Sequence, residues 1–458
     1  METTISKQEM IVTMISLNGR WMLRTDPEDE GISKKWYETL PEGAFNIHVP
    51  SVWNEKAAPE YEDGYVWYFK NIKLENLSNK VILLHFNAVN ISCEVWLNGT
   101  FISSHEGGYT PFEMDITDFV KQGENYLAVR VGHNLTGNAV SKETWYYKYG
   151  GIWQDVYLLI KDKVYIPSCV IRTRNEGKIK ALIEINNTTD SIEKIWLKAN
   201  IIPAETPSDI ITETTHEFKV NPGFSTVEIQ MNVMSPYLWS LDNPYLYMLK
   251  VSLKSDNSFG DEVLVRFGFR EFYVENGKFY LNKNKITIKG VLYQPNHPMT
   301  FIYPKSKECA YREVRMVKEA GFNLIRAHIK PAHPWTLDAA DELGVLIYEE
   351  PSIGWMSLPS NEDALKHGKT IEDLMYCRML TETIGMVKRD INRPSIVIWG
   401  ILNEGGYKAW DFRLEVIKEL RKIDPTRIVI DDSAIGAGER LIWNPYDENP
   451  SPHWHGHT

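Results

Sequence analysis

The sequence predicts a multidomain β plus α/β protein: two β-sandwiches followed by a barrel of alternating strands and helices. Three observations carry this. Over roughly the first 270 residues, short alternating strands recur between Gly, Asn and Asp punctuation. Beyond about residue 271 the period changes, and apolar strands alternate with helical segments closed by Gly. The chain has 458 residues, enough for about three domains of roughly 150 residues each.

The first block contains Val81–Phe86, Ser92–Leu97 and Tyr126–Val131, each alternating or apolar. Asn98-Gly99 marks a hairpin turn, because both residues tolerate positive φ. Close strand spacing suggests a sandwich or jelly roll over 1–163. In the second block, 164–270, strands are expected at Lys180–Asn186, Ile195–Ile202, Ser225–Met231 and Tyr245–Leu253. That spacing suits an immunoglobulin-like sandwich. No long Pro/Gly/Ser linker separates the blocks, so tight packing is expected.

The third block, 271–458, reads as βα units. Strands are expected at Ile286–Leu292, Phe322–Ala327, Val345–Tyr348, Ser395–Ile401 and Arg427–Ile430. Helices are expected at Tyr311–Ala320, Trp335–Leu343, Ile371–Ile391 and Leu414–Ile423. Gly321 and Gly344 stand where helix-terminating glycines belong. Ser395–Ile401 is continuously apolar, as expected when both faces of a strand are buried.

Composition narrows the chemistry. The chain is 43% hydrophobic and 24% charged, which excludes wholesale disorder. Its 15 Trp and 23 Tyr keep carbohydrate in view, since aromatic faces stack on sugars. The net charge of −11 argues against nucleic acid as a partner. No apolar stretch reaches transmembrane length, and no signal peptide is evident, so a cytoplasmic location is expected. The four cysteines, Cys93, Cys169, Cys309 and Cys377, lack metal spacing and are expected to be buried free thiols.

In a βα barrel, residues at the carboxyl ends of strands face the active site. Here those ends carry Arg326 and His328, Glu349 and Glu350, Asn403 and Glu404, and Asp431 and Asp432. Carboxylates converging with an Arg and an Asn suit glycoside hydrolysis, which needs one protonated acid and one carboxylate at the anomeric carbon. Neighbouring strand residues face opposite ways, so at most one of Glu349 and Glu350 points into the site. The plainest structural role for Arg326 is an ion pair with Glu350. Asp341, at a helix end, is expected to be surface or structural. Asp431 and Asp432 either face a ligand or brace the barrel. Trp399 belongs to the core, whereas Trp355 and Trp454 sit in loops and are candidates for sugar stacking. His453, His455 and His457 alternate like metal ligands, but no metal site is expected.

Several motifs appear in a fixed order. They are Leu17-Asn18-Gly19-Arg20-Trp21, Gly107-Gly108-Tyr109-Thr110-Pro111-Phe112, Gly150-Gly151-Ile152-Trp153, Asn243-Pro244-Tyr245-Leu246-Tyr247, Phe267-Gly268-Phe269-Arg270, and Arg389-Asp390-Ile391-Asn392-Arg393-Pro394-Ser395 running to Asn403-Glu404. Together they resemble glycoside hydrolase family 2, which contains β-galactosidases, β-glucuronidases and β-mannosidases. The resemblance implies a jelly roll, an immunoglobulin-like sandwich and a (β/α)8 TIM-type barrel. It implies Glu404 as general acid/base, Asn403 on the sugar 2-hydroxyl and Arg326 bracing the carboxylates. His328 departs by one position from the commoner galactosidase pattern, and Gln294 stands where many relatives carry His. Glu350, Trp355 and Asp432 complete the expected substrate-binding set. The expected partner is an oligosaccharide or glycoside, with no organic cofactor and no membrane; self-association into a homo-oligomer stays open.

The family's nucleophile, a second Glu near the seventh strand, has no counterpart here. Five barrel strands are countable, with a sixth expected near His453–His457. The barrel is therefore expected to be incomplete, with the nucleophile beyond residue 458. Two rival readings remain: a non-catalytic sugar-binding relative, and an inverting enzyme using two carboxylates of this chain.

Overall fold

The computed structural model describes residues 13–458 except 56, 59–63, 76, 134–148, 256–257, 355–358, 404–406, 433–441 and 448–458. The first sandwich packs two antiparallel sheets. One has the order Thr13–Ser16, Val156–Lys161, Val81–Phe86, Phe112–Asp115. The other runs Phe45–Val49, Gly19–Asp26, Gly64–Leu74, Gly123–His133, Ser92–Leu97, Thr100–Glu106. Alternate residues such as Trp21, Leu84, Val95 and Val129 meet between them as a buried core. Asn98 and Gly99 take φ of 53° and 85°, the left-handed pair that a two-residue hairpin turn requires.

The second sandwich has sheets of three and four strands. The four expected strands are present, and three more join them: Val164–Thr173, Thr212–Val220 and Ser258–Phe267. Thr212–Val220 lies at a sheet edge and is largely exposed, so its sequence, TETTHEFKV, shows no apolar alternation.

The third block opens with a small antiparallel sheet of Phe272–Glu275, Lys278–Leu281 and Asn284–Ile286. The single strand expected over Ile286–Leu292 is in fact two. Its front belongs to this small sheet, and its end forms β1 (Gly290–Tyr293) of the barrel. Asn323 clamps the break: its side chain accepts from the Lys289 N–H at 2.7 Å and donates to the Thr287 carbonyl at 2.8 Å.

The remaining barrel elements are α1 (Lys307–Glu319), β2 (Leu324–Ala327), α2 (Pro334–Leu343), β3 (Leu346–Glu349), α3 (Asn361–Lys366), α4 (Ile371–Asp390), β4 (Ile396–Leu402), α5 (Tyr407–Ile423), β5 (Ile428–Asp432) and β6 (Ile442–Trp443). Strands β1 to β5 are parallel neighbours in chain order. A sixth strand, β6, lies ahead of the segment where one was expected. His453–His457 lies outside the described residues, and β6 pairs antiparallel with β5. The sheet is thus an incomplete barrel among the described residues. Leu324, Leu346, Tyr348, Ile398 and Ile428 fill its inner face, and Ile325, Ile347, Trp399 and Val429 meet the helices. At the edge strand β1, Leu292 is 51% exposed. Among the described residues, no helix is long and apolar enough to cross a membrane. All four cysteines are free; Cys93 and Cys169 are buried as expected, but Cys309 and Cys377 are only half-buried.

The jelly roll docks on the barrel through its glycine motifs. Tyr109, Tyr149 and Trp153 pack with Ile302 in one buried cluster. Gly150 must be glycine, since a Cβ there would lie 1.9 Å from the Trp53 ring. Glu106 receives two hydrogen bonds from Arg378 of α4, at 2.8 and 2.9 Å. One turn on, Glu382 accepts from the Gly108 N–H at 3.2 Å.

Glu382 is buried, and burial pushes its carboxyl from 4.5 up to about 7, against the pull of the Gly108 N–H and Arg389. Between these values the folded chain keeps a proton that the unfolded chain gives up. Its stabilising contribution is full below pH 4.5 and is lost as pH rises through 7, a span of about 3 kcal/mol. Glu382→Gln copies the protonated form. It should match wild type at pH 5 and exceed it in stability at pH 8. Urea denaturation at the two pH values checks this; equal differences at both would refute it.

Candidate active site

Three of the predicted residues meet at the strand ends. Glu350 follows β3, and its two oxygens accept from Arg326 Nε at 3.1 Å and Nη2 at 3.2 Å. The same Nη2 donates to Asn403 Oδ1 at 2.6 Å. Arg326 on β2 therefore ties the ends of β3 and β4 together. The planar guanidinium suits this, because its fork matches a carboxylate and leaves a direction for a third acceptor. Burial alone would lower the Arg326 pKa, but Glu350 first, then Tyr348 and Asp432, hold it above its usual range.

Asn403 is fixed from the backbone. Its N–H donates to the Ile353 carbonyl at 3.0 Å, and the residue bridges Gly354 in parallel. Gly354 leaves room for this, since a Cβ would lie 2.5 Å from the Asn403 carbonyl oxygen. Glu404, which follows, lies outside the described residues, as do Trp355, Trp454, His453, His455 and His457.

Gln294 and His328 form a second pair, after β1 and β2. Gln294 Nε2 lies 3.0 Å from His328 Nδ1. With the amide so placed, its N–H donates and Nδ1 accepts. Asp432 ends β5 and is buried. Its neighbour Asp431 accepts from Arg413 of α5 at 2.8 Å. So Asp431 braces the helix layer, and Asp432 lies near enough for Arg326 to feel its charge.

Glu349 and Glu350 face opposite ways. Glu349 is fully buried between β3 and α4, where Oε1 accepts from the Ala332 N–H and from Arg389, both at 3.1 Å. Burial and nearby Asp390 push its carboxyl upward in spite of that contact. Asp341 is not a surface residue. It is 1% exposed, pairs with Arg266 and Arg393, and accepts from the Ser395 N–H. Trp399 is core, its indole donating to Asp424 at 2.7 Å.

Two features escape sequence reasoning. Tyr348 lies beneath Arg326, the guanidinium 5.6 Å from its ring centroid. Its signal was available, since it stands two residues before Glu350 and shares its face. Lys330 is buried beside the jelly-roll Tyr149, 3.3 Å from the phenol oxygen, and 3.5 Å from Asn296. No local pattern announces a contact across 181 residues. Among the described residues, no group of three or more His, Cys, Asp or Glu is placed to hold a metal ion.

Comparisons with known proteins agree with this architecture. Residues 14–162 match the model for the family 2 glycosyl hydrolase sugar binding domain. Residues 160–270 match the model described as glycosyl hydrolases family 2, and residues 272–442 match the family's TIM barrel domain. A putative β-glucuronidase of Formosa agariphila is 30% identical over 78% of this chain and 42% of its own length. A β-galactosidase of Thermoanaerobacterium thermosulfurigenes is 29% identical over 90% of this chain and 57% of its own. Among solved structures, a putative β-galactosidase from Bacteroides fragilis superposes with a TM-score of 0.78 at 20% identity, covering 92% of this chain and 63% of that one. A Bacteroides uniformis β-glucuronidase gives 0.77 at 21%, covering 91% and 52%. At such identities the structural likeness is one of fold. The chain spans about half the length of the curated relatives it matches. With three family models matched in succession across both sandwiches and the barrel, the chain belongs to glycoside hydrolase family 2.

Proposed function

We propose that this chain forms the jelly roll, immunoglobulin-like sandwich and first barrel strands of a retaining exo-β-glycosidase. Glu404 is the general acid/base. Its proton goes to the leaving glycosidic oxygen, and it then takes a proton from the water that opens the glycosyl-enzyme. Asn403 holds the sugar 2-hydroxyl. Gln294, His328, Trp355 and Asp432 line the sugar site.

The observation that supports this most is the Arg326–Glu350–Asn403 cluster at the strand ends. Arg326 occupies both oxygens of Glu350, so Glu350 suits a bracing role and not that of nucleophile. The nucleophile is then a Glu beyond residue 458, in the length that the relatives carry and this chain does not span.

The test is product stereochemistry. The protein at its full encoded length, given p-nitrophenyl β-galactoside, β-glucuronide and β-mannoside, should turn over at least one. Proton NMR should show the β-anomer formed first. First-formed α-anomer would favour the inverting reading. Saturable sugar binding without turnover would favour the non-catalytic one.

A further inference from the structure

A cavity of about 290 Å³ lies at the opposite end of the barrel from the Arg326 cluster. Its walls come from the immunoglobulin-like sandwich, the segment around Arg270, and the amino-terminal ends of β4 and β5. Arg172, Arg174, Arg270 and Arg427 line it, against two acidic residues among the described ones, Glu271 and Asp447. In a chain of net charge −11 this is a local reversal of sign. Its volume sits near the lower end of small-ligand pockets, about 300–1,000 Å³.

These arginines are not equally committed. Arg427 is spent on the fold: it pairs with Asp424 and donates to the carbonyls of Ile391, Arg393 and Ile396. Arg270 is buried and donates through Nε and Nη2 to the carbonyls of Pro394 and Ile396, with no carboxylate within ion-pair range among the described residues. Burial and the nearby Arg427 pull its pKa down to about 9, against the attraction of Asp424, Tyr446 and Asp341. Arg172 gives Nη2 to the Ile423 carbonyl, while its buried Nε has no acceptor among the described residues. Arg174 is half-exposed, 4.1 Å from the Tyr446 ring centroid and 3.8 Å from Glu271, too far for a hydrogen bond. Beyond Arg174 the cavity opens into a trough bearing Lys178 and Lys180.

We propose that this cavity binds a tetrahedral oxyanion of the phosphate or sulfate type, with Arg174 at its entrance and Arg172 and Arg270 within. Guanidinium groups reach it from two separate segments, the strand Val164–Thr173 with its following turn and the stretch before the small sheet. Donors spread in this way suit an anion with oxygens in several directions better than a flat carboxylate. Lys178 in the trough adds long-range attraction, while Lys180 is already paired with Glu228 at 2.5 Å.

The experiment is calorimetric titration of the protein at its full encoded length with inorganic phosphate and with sulfate, sodium chloride holding ionic strength constant. Saturable binding of either anion is expected. Arg174→Gln should weaken it about tenfold or more, as for the loss of one charged hydrogen bond. Arg174→Lys should recover part of that loss. Lys178→Gln, in the open trough, should change affinity less than threefold. Arg270 is left intact, because its carbonyl contacts hold the barrel floor; thermal melts without anion verify that each variant stays folded. The proposal is overturned if no saturable binding appears up to about 50 mM, well beyond the millimolar end of the affinity scale. It is equally overturned if Lys178→Gln weakens binding as much as Arg174→Gln, which would reduce the site to diffuse surface charge.

Discussion

Replacing Glu404 by Gln in the full-length enzyme is expected to slow hydrolysis of an unactivated disaccharide by about 10²–10⁴-fold, the usual contribution of general acid–base catalysis. That corresponds to about 3–5 kcal/mol of transition-state stabilisation. The second sugar of a disaccharide leaves as a strongly basic alkoxide unless its oxygen is protonated, so the first step needs the acid. An aryl glycoside with a good leaving group needs little protonation, and its first step should be much less affected. Its second step still needs a base to activate water. The aryl substrate should therefore show a burst followed by slow turnover, and azide, which requires no base, should restore the rate. Asn403 keeps its hold on the Ile353 carbonyl and on Arg326 in the variant. Near-wild-type turnover of the disaccharide by the variant would sink the assignment.

What the sequence shows of this site is what strand geometry transmits locally. β4 is legible because all seven of its residues are apolar or Gly and buried, the mark of a central parallel strand. Arg326, Glu350 and Asn403 follow from the rule that barrel chemistry sits at carboxyl strand ends. The opposite facing of Glu349 and Glu350 follows from a period of two. The rest depends on packing between distant segments. Thr212–Val220 escapes because an exposed edge strand needs no apolar face. The split at Thr287–Lys289 escapes because a side chain 34 residues away enforces it. Arg389 reads as one charge near a helix end. In the fold it joins the Tyr109 carbonyl of the jelly roll, the Ala332 carbonyl after β2, and Glu349 of β3. Asn392 likewise reads as a turn residue, yet its side chain holds the Ile171 N–H and the Cys169 carbonyl of the second sandwich. The motif ahead of β4 is thus a junction of all three blocks, and its residue types have meaning only once those blocks are in place.

The largest stability loss is expected at that junction, from Arg393→Ala. Arg393 Nη1 donates to Asp338 at 2.8 Å and Asp341 at 3.1 Å, and its Nε to Asp390 at 3.0 Å. Asp341 and Asp390 are each 1% exposed. Burial disfavours the charge on Arg393, but Asp341, Asp390 and Asp338 together raise its pKa far above the usual value. Removing one partner of a buried ion network leaves carboxylates that water cannot reach, a cost of about 3–5 kcal/mol. Arg266, from the second sandwich, still contacts Asp338 and Asp341, and Arg389 still contacts Asp390 at 2.6 Å, so each aspartate loses one of its cationic partners. The deficit should depend on pH with a definite sign. Against the upward pull of burial, Arg393 holds the Asp338 carboxyl below its usual range; without it that carboxyl takes up a proton more readily as pH falls, which relieves its burial. The stability gap between wild type and variant should therefore be wide at pH 7 and narrower at pH 5. A surface pair supplies the contrast: Lys34 and Glu30 meet at 2.7 Å but are 57% and 36% exposed. Lys34→Ala should cost less than about 1 kcal/mol. Urea denaturation of both variants at the two pH values measures these differences. A loss at Arg393 no larger than at Lys34, or a gap that widens as pH falls, would show that the aspartates are stabilised by something other than this guanidinium.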